Sequence, residues 1–187
     1  MKKVINAIQQ YVPGCEQEKA DKELFLHVAK NLPDALTRDN NLVHFTTSAF
    51  VINPSKTKVV STYHNIYDSW NWMGGHNDGD DNFLRVAKKE IREESGIKNL
   101  VPLTAGIFSI ESMPVLGHVR RGKYVTAHVH LNVSYVFIAS EKENIRIEAD
   151  ENSDIAWLGL DELIEKSTEP HMKPVYRKII DRIRGHK

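Results

Sequence analysis

Gly74–Ile97, GGHNDGDDNFLRVAKKEIREESGI, is the stretch from which the rest of this chain is read. It opens with a glycine pair, crosses an acidic turn and continues as a helix carrying Glu90, Glu93 and Glu94 at i, i+3 and i+4. At roughly 100° per residue, Glu93 and Glu94 flank Glu90 within an arc of about 100°. Leu84, Ala87 and Ile91 fall on another sector and can pack on a core. Like charges at this spacing repel by about a few tenths of a kcal/mol per pair, a cost that a cation removes. Oxygen ligands at this density suit Mg2+ or Mn2+ better than Zn2+. Asp80, Asp81 or Asn82 can cap the helix start, and Gly96-Ile97 reads as a C′ glycine with its hydrophobic partner. A Glu-Glu pair alone would read as a solvated helix face. Gly74 and Gly75, directly before it, permit the close backbone approach that a metal- or phosphate-cradling loop needs.

The stretch resembles the signature of the Nudix hydrolases, in which every spacing is kept. Gly75 opens the pattern, and after five intervening residues Asp81 stands where the family has Glu. After seven more, Lys89 stands where it has Arg, followed by Glu90, Ile91, Arg92, Glu93, Glu94, Ser95, Gly96 and Ile97. The two departures keep charge. Lysine lacks the planar fork that grips a carboxylate at two points, and Asp81 is one methylene shorter than glutamate. The signature covers 23 of 187 residues, and the Trp-rich lead-in Trp70–Met73 and the later DIAWLGLDEL fit beside it. The resemblance implies a Nudix-type α/β/α sandwich with a mixed sheet, and hydrolysis of a diphosphate linked to another moiety, commonly a nucleoside diphosphate derivative.

On that reading Glu90, Glu93 and Glu94 ligate Mg2+ or Mn2+, Gly75 offers its backbone to metal or phosphate, and Lys89 holds a carboxylate in place. Glu151, in the acidic loop 150–154, is the candidate for an added metal carboxylate. Glu93, Glu94 or Glu151 orients or deprotonates the attacking water; sequence does not choose among them. Gly74, Gly75, Trp72, Arg120 and His128 are the candidate substrate contacts.

Length fits one domain with a modest extension: 1–40 as a helical extension and 41–187 as the hydrolase. Zero formal net charge, from 25 basic and 25 acidic residues, argues against broad binding to nucleic acid polymers or anionic membranes. Cys15 is the sole cysteine, which excludes an intrachain disulfide and a thiolate metal cage. MKKVINAIQQYV is too polar and too short for a secretory signal, so the cytoplasm is expected.

Along the chain, Val4, Ile8, Tyr11 and Val12 keep helical spacing until Pro13-Gly14, and a second helix puts Ala20, Leu24, Val28 and Leu32 on one stripe. These helices read as packing, with a dimer contact or a lid as the other readings. Val43–Ile52 and Lys58–Tyr63 read as a hairpin around Asn53-Pro54-Ser55, with His44 and His64 as ordinary histidines. Trp72 reads as either a base-stacking or a core residue. Leu100–Glu111 is expected as a strand, and Met113–Lys123 as a loop whose basic Arg120-Arg121 suits a polyphosphate.

Tyr124–Ile138 is expected as one strand, with His128 and His130 on the same face. They make half of a zinc site, but spacing shows no third ligand, so a polar face toward substrate is the preferred reading. Short strands at Ile145–Glu148 and Ile155–Leu158, a helix from Leu160 and a last helix over Lys173–Arg184 complete the chain. The last helix carries a packing stripe that can also serve a homodimer.

A second functional reading is a nucleotide-binding sensor of the same fold, motivated by Asp81 and Lys89. A prenyl diphosphate isomerase would need a core cysteine, whereas Cys15 lies in the extension. Pro114 lies near the position of a proline in ADP-ribose-specific members, a weak pointer to substrate.

Overall fold

The computed structural model describes residues 1–120, 122–147 and 152–186, at 120 by its backbone alone. Among them no helix is long and apolar enough to cross a membrane. The chain divides into two units: Met1–Thr47, Gly75–Val86 and Gly106–Ser134 form the first, and Ser48–Gly74, Ala87–Ala105 and Tyr135–Lys187 the second.

In the first unit, helix α1 (Lys2–Gln10) buries Val4 and Ile8, and its stripe ends at buried Tyr11, where the backbone turns extended ahead of Pro13. Val12 is 82% exposed and does not extend the stripe. Helix α2 (Glu16–Asn31) buries Phe25, Val28 and Ala29, while Ala20 and Leu24 face outward. Of the expected stripe Ala20, Leu24, Val28 and Leu32, Val28 is buried and Leu32 partly so, while its first half gives way to Phe25. Phe25 meets Phe45 edge-on at 5.7 Å, and the larger aromatic surface decides which face turns inward.

The polar edge of α2 docks on strand β6 (Ser109–Val115). Asp21 accepts from the Ser112 amide (3.0 Å) and hydroxyl (2.8 Å), and Gln17 donates to Ile110 O (3.1 Å). Glu18, fully buried, accepts from Gly14 N (2.7 Å) and Ser109 Oγ (3.0 Å), partners without which a buried carboxyl is costly.

Strand β1 (Val43–Ile52) is buried from His44 onward, and β9 (His128–Ile138) from Leu131 to Phe137, as central strands are. Val129 N donates to Leu42 O and Ala139 N to Ile52 O, both at 2.9 Å. The two bonds share one offset, so β1 and β9 are parallel. Strand β6 runs antiparallel to β9, from Ser109↔Ser134 to Val115↔His128, which makes the sheet mixed as expected.

The stretch expected as a loop over Met113–Lys123 instead extends β6 to Val115 and begins a hairpin, β7 (His118–Arg120) with β8 (Lys123–Val125). The strand expected over Tyr124–Ile138 breaks at Thr126-Ala127. Alternation continues through the break, so pattern alone does not reveal it.

In the second unit the strand order is β10–β2–β1–β9–β5, with β2 at Lys58–His64, β5 at Val101–Pro102 and β10 at Asn152–Gly159; β3 (Ser69–Asn71) adds to β2. The β1–β2 hairpin is set locally. Asn53 Oδ1 accepts from Thr57 N (2.8 Å) and Lys58 N (3.0 Å), an Asx-type turn. The strand expected over Ile145–Glu148 is not formed over 145–147, and Glu148 lies outside the described residues.

Helix α4 (Leu160–Lys166) follows β10 directly, and α5 (Met172–Gly185) buries Met172, Tyr176, Ile179, Ile180 and Ile183 at three- and four-residue spacing. Tyr176 donates to Asn71 Oδ1 at 3.0 Å, satisfying its buried hydroxyl.

Candidate active site

Helix α3 (Phe83–Ser95) forms where its caps place it. Asn82 Oδ1 accepts from Arg85 N at 3.1 Å, the N-cap bond, and Asp80 Oδ1 accepts from Asn82 N at 2.8 Å. At the other end Gly96 adopts φ 74°, and its N–H closes on Arg92 O at 3.1 Å. Phe83, Val86, Ala87 and Ile91 are buried, while Leu84 is only partly so. The inward sector is thus centred slightly away from the expected one, and it takes in Glu94, seven residues after Ala87, with Glu90 sheltered beside it and Glu93 turned toward solvent.

Lys89 Nζ stands 3.3 Å from Glu90 Oε1 and 3.2 Å from Glu93 Oε2. Burial works against the Lys89 charge, but the two carboxylates outweigh it and raise its pKa. The Glu90 side chain is 13% exposed and Glu93 54%, so one carboxylate is sheltered and the next is wet. Glu94 is held more firmly. Its Oε1 accepts from Gly74 N at 2.7 Å and its Oε2 from Asn152 Nδ2 at 3.2 Å. Burial pushes the Glu94 carboxyl up to about 8, with Glu90 adding to the rise and the Gly74, Asn152 and Thr62 bonds opposing it.

The Asn152 Oδ1 atom is buried and has no hydrogen-bond partner among the described residues. A buried acid beside a second carboxylate and an orphaned acceptor is a donor set of hard oxygens, suited to a divalent cation and its waters.

Of the sequence-derived candidates, Glu90, Glu93, Glu94, Lys89, Gly74 and Trp72 belong to the second unit. Trp72 packs edge-on against Phe50 (5.9 Å) and Tyr176 (5.5 Å) and remains partly exposed. Gly75, Arg120 and His128 belong to the first unit. Gly75 lies in strand β4 (Met73–His76), Arg120 in β7, and Glu151 falls outside the described residues. Asp81 pairs with Lys3 at 3.1 Å. His128 Nε2 lies 3.0 Å from His130 Nε2, as their shared strand face requires. Sequence reasoning missed Asn152, whose only signal is its place within the stretch 150–154 expected as an acidic loop, where strand β10 instead begins at Asn152.

Residues 43–180 match the NUDIX domain family, well over half of the chain. No curated protein matches it. The fold is similar to the Ap4A hydrolase of C. elegans, at 15% identity and a TM-score of 0.52 over 75% of this chain and 98% of that one. It is also similar to the dihydroneopterin triphosphate pyrophosphohydrolase of E. coli, at 10% identity and a TM-score of 0.60 over 74% and 95%. The NUDIX domain of Shewanella oneidensis NrtR, complexed with ADP ribose, is similar at 14% identity and a TM-score of 0.52 over 74% and 87%. At these identities the structural likeness is one of fold. The match over residues 43–180, with the glutamate helix that it contains, establishes that the chain belongs to the NUDIX family, as a Nudix-type pyrophosphohydrolase.

Proposed function

We propose that this enzyme hydrolyses a pyrophosphate bond in a nucleoside diphosphate derivative or related organic diphosphate, by water attack on phosphorus, with Mg2+ or Mn2+ held by Glu90, Glu93 and Glu94. The observation that carries the proposal is the Glu94 carboxyl, fastened by Gly74 N and Asn152 beside a buried oxygen that has no hydrogen-bond partner among the described residues. Such a cation, when bound, neutralises the diphosphate and acidifies water. Glu94 is the anchored ligand. Glu93, the most exposed of the three, is free to reach a water, and Lys89 keeps Glu90 and Glu93 from splaying apart.

Glu151 completes the carboxylate set in this reading, Gly75 contributes its backbone, and Trp72, Arg120 and His128 contact substrate. Residues 1–40 are an extension to the hydrolase of 41–187. The similar folds named above concern Ap4A, dihydroneopterin triphosphate and ADP ribose, all phosphoanhydrides, which supports that substrate class. Free Cys15 is consistent with the cytoplasm as compartment.

The test is product release from nucleoside diphosphate derivatives and nucleoside triphosphates with Mg2+, with Mn2+ and with chelator, beside Glu93→Gln. Metal-dependent cleavage lost in the variant supports the proposal. Ligand-induced thermal stabilisation without turnover on any substrate would favour a binding domain instead.

A further inference from the structure

The first unit gathers four histidines, of which the pyrophosphatase reading uses His128 and leaves His44, His76 and His130 unexplained. Strand alternation puts His128 and His130 on one face of β9, parallel pairing brings His44 at the start of β1 beside them, and β4, paired to β1, ends on His76. Ring centroids lie 4.8 Å apart for His44–His130, 5.1 Å for His44–His76 and 5.0 Å for His76–His130. One ring nitrogen each from His44, His76 and His130 falls within 4.8 Å of the others. Metal–imidazole bonds of about 2.0–2.1 Å around a tetrahedral ion put such nitrogens roughly 3.3 Å apart, so side-chain rotation of about an ångström closes the set.

His44 points to a ligand independently of that grouping. It is 4% exposed, and its Nδ1 lies 3.0 Å from Asn40 O. Donation to that carbonyl places the proton on Nδ1 and leaves the Nε2 lone pair facing inward. His44 Nε2 is buried and has no hydrogen-bond partner among the described residues. Asn40 is itself fixed, donating to Asp34 Oδ1 (3.0 Å) and accepting from Leu42 N (3.1 Å) and Val43 N (3.0 Å). This is the outer support that orients metal-binding histidines. His128 is anchored through Nδ1 to Thr126 O at 2.8 Å and orients His130 through the contact between their Nε2 atoms.

We infer that His44, His76 and His130 bind a late first-row divalent cation, zinc foremost, through imidazole nitrogens. Three neutral imidazoles without a carboxylate or thiolate select zinc-class ions over Mg2+. With His76 and His130 only partly buried, a fourth position is open to water or an anionic oxygen. The set shares no residue with the glutamates of α3, so nitrogen and oxygen sites are chemically separate on one chain.

The experiment uses the untagged full-length chain, stripped by chelator and then equilibrated with Zn2+ in excess Mg2+ to occupy carboxylate sites. Bound zinc is counted by mass spectrometry, and its ligands are read by X-ray absorption. The expected result is about one zinc per chain in a nitrogen-rich shell near 2.0 Å. His76→Gln and His130→Gln each weaken uptake at least about tenfold, Glu93→Gln leaves it unchanged, and metal-free melting temperatures confirm that all three variants fold. Absorption on the unmutated chain needs no variant and stands if one fails to fold. No uptake against Mg2+, an oxygen-only shell, or uptake unmoved by both histidine variants would overturn the inference.

Discussion

Substituting Glu94 by glutamine should change how the metal-free protein responds to pH. In the unfolded chain Glu94 titrates near 4.5, and in the folded chain burial pushes it up to about 8. Between these values the folded state keeps a proton that the unfolded state has released. Stability therefore falls as pH rises through that window, by at most about 1.4 kcal/mol per pH unit. From about pH 5.5 to about pH 7.5 the loss is roughly 2.7 kcal/mol, or on the order of 5–10 °C in melting temperature for a chain of this size.

Glu94→Gln keeps the shape and an acceptor for Gly74 N, but it does not titrate. Thermal unfolding in chelator across this window, for both proteins, isolates the effect, because the other titrating groups cancel in the difference. The variant should lack the extra decline. Added Mg2+ should reverse the sign in the unmutated chain, stabilising it more at high pH, where less proton must be displaced. Equal pH slopes for the two chelated proteins would refute the reasoning that burial holds Glu94 protonated.

Asn82→Ala should cost about 1 kcal/mol by removing the N-cap bond to Arg85 N, read by denaturant unfolding. Phe25→Ala should destabilise by about 3–5 kcal/mol, and Leu24→Ala, on the exposed side of the same helix, by no more than about 0.5 kcal/mol. The reverse order would return the packing stripe to Leu24. Gly96→Ala should cost roughly 1–2 kcal/mol from its left-handed backbone. The added Cβ would also meet Arg146 Cγ at 2.9 Å, next to a backbone tied to Ser95 O, so Gly96→Ala/Arg146→Ala should recover part of any loss beyond the backbone cost.

What could be read from sequence was local. Helix α3 carries its own caps, its glycine stop and its glutamate spacing within two dozen residues, and backbone periodicity turns that spacing into a face without help from the rest of the chain. The β1–β2 hairpin was legible for the same reason, because Asn53 organises the turn from within it.

The face that α2 buries was not legible, since Leu24 and Phe25 are both apolar and only the position of Phe45 chooses between them. Nor was the break before His128, where an alternating pattern runs through two strands. Sequence by itself determined the family, the helix and the three glutamates. Tertiary structure alone decided that Glu94 would be buried, 20 residues from Gly74 and 58 from Asn152, and that His44 and His76 would join His130. Those environments arise from strand pairing between distant segments, and no local periodicity encodes which distant strand becomes a neighbour.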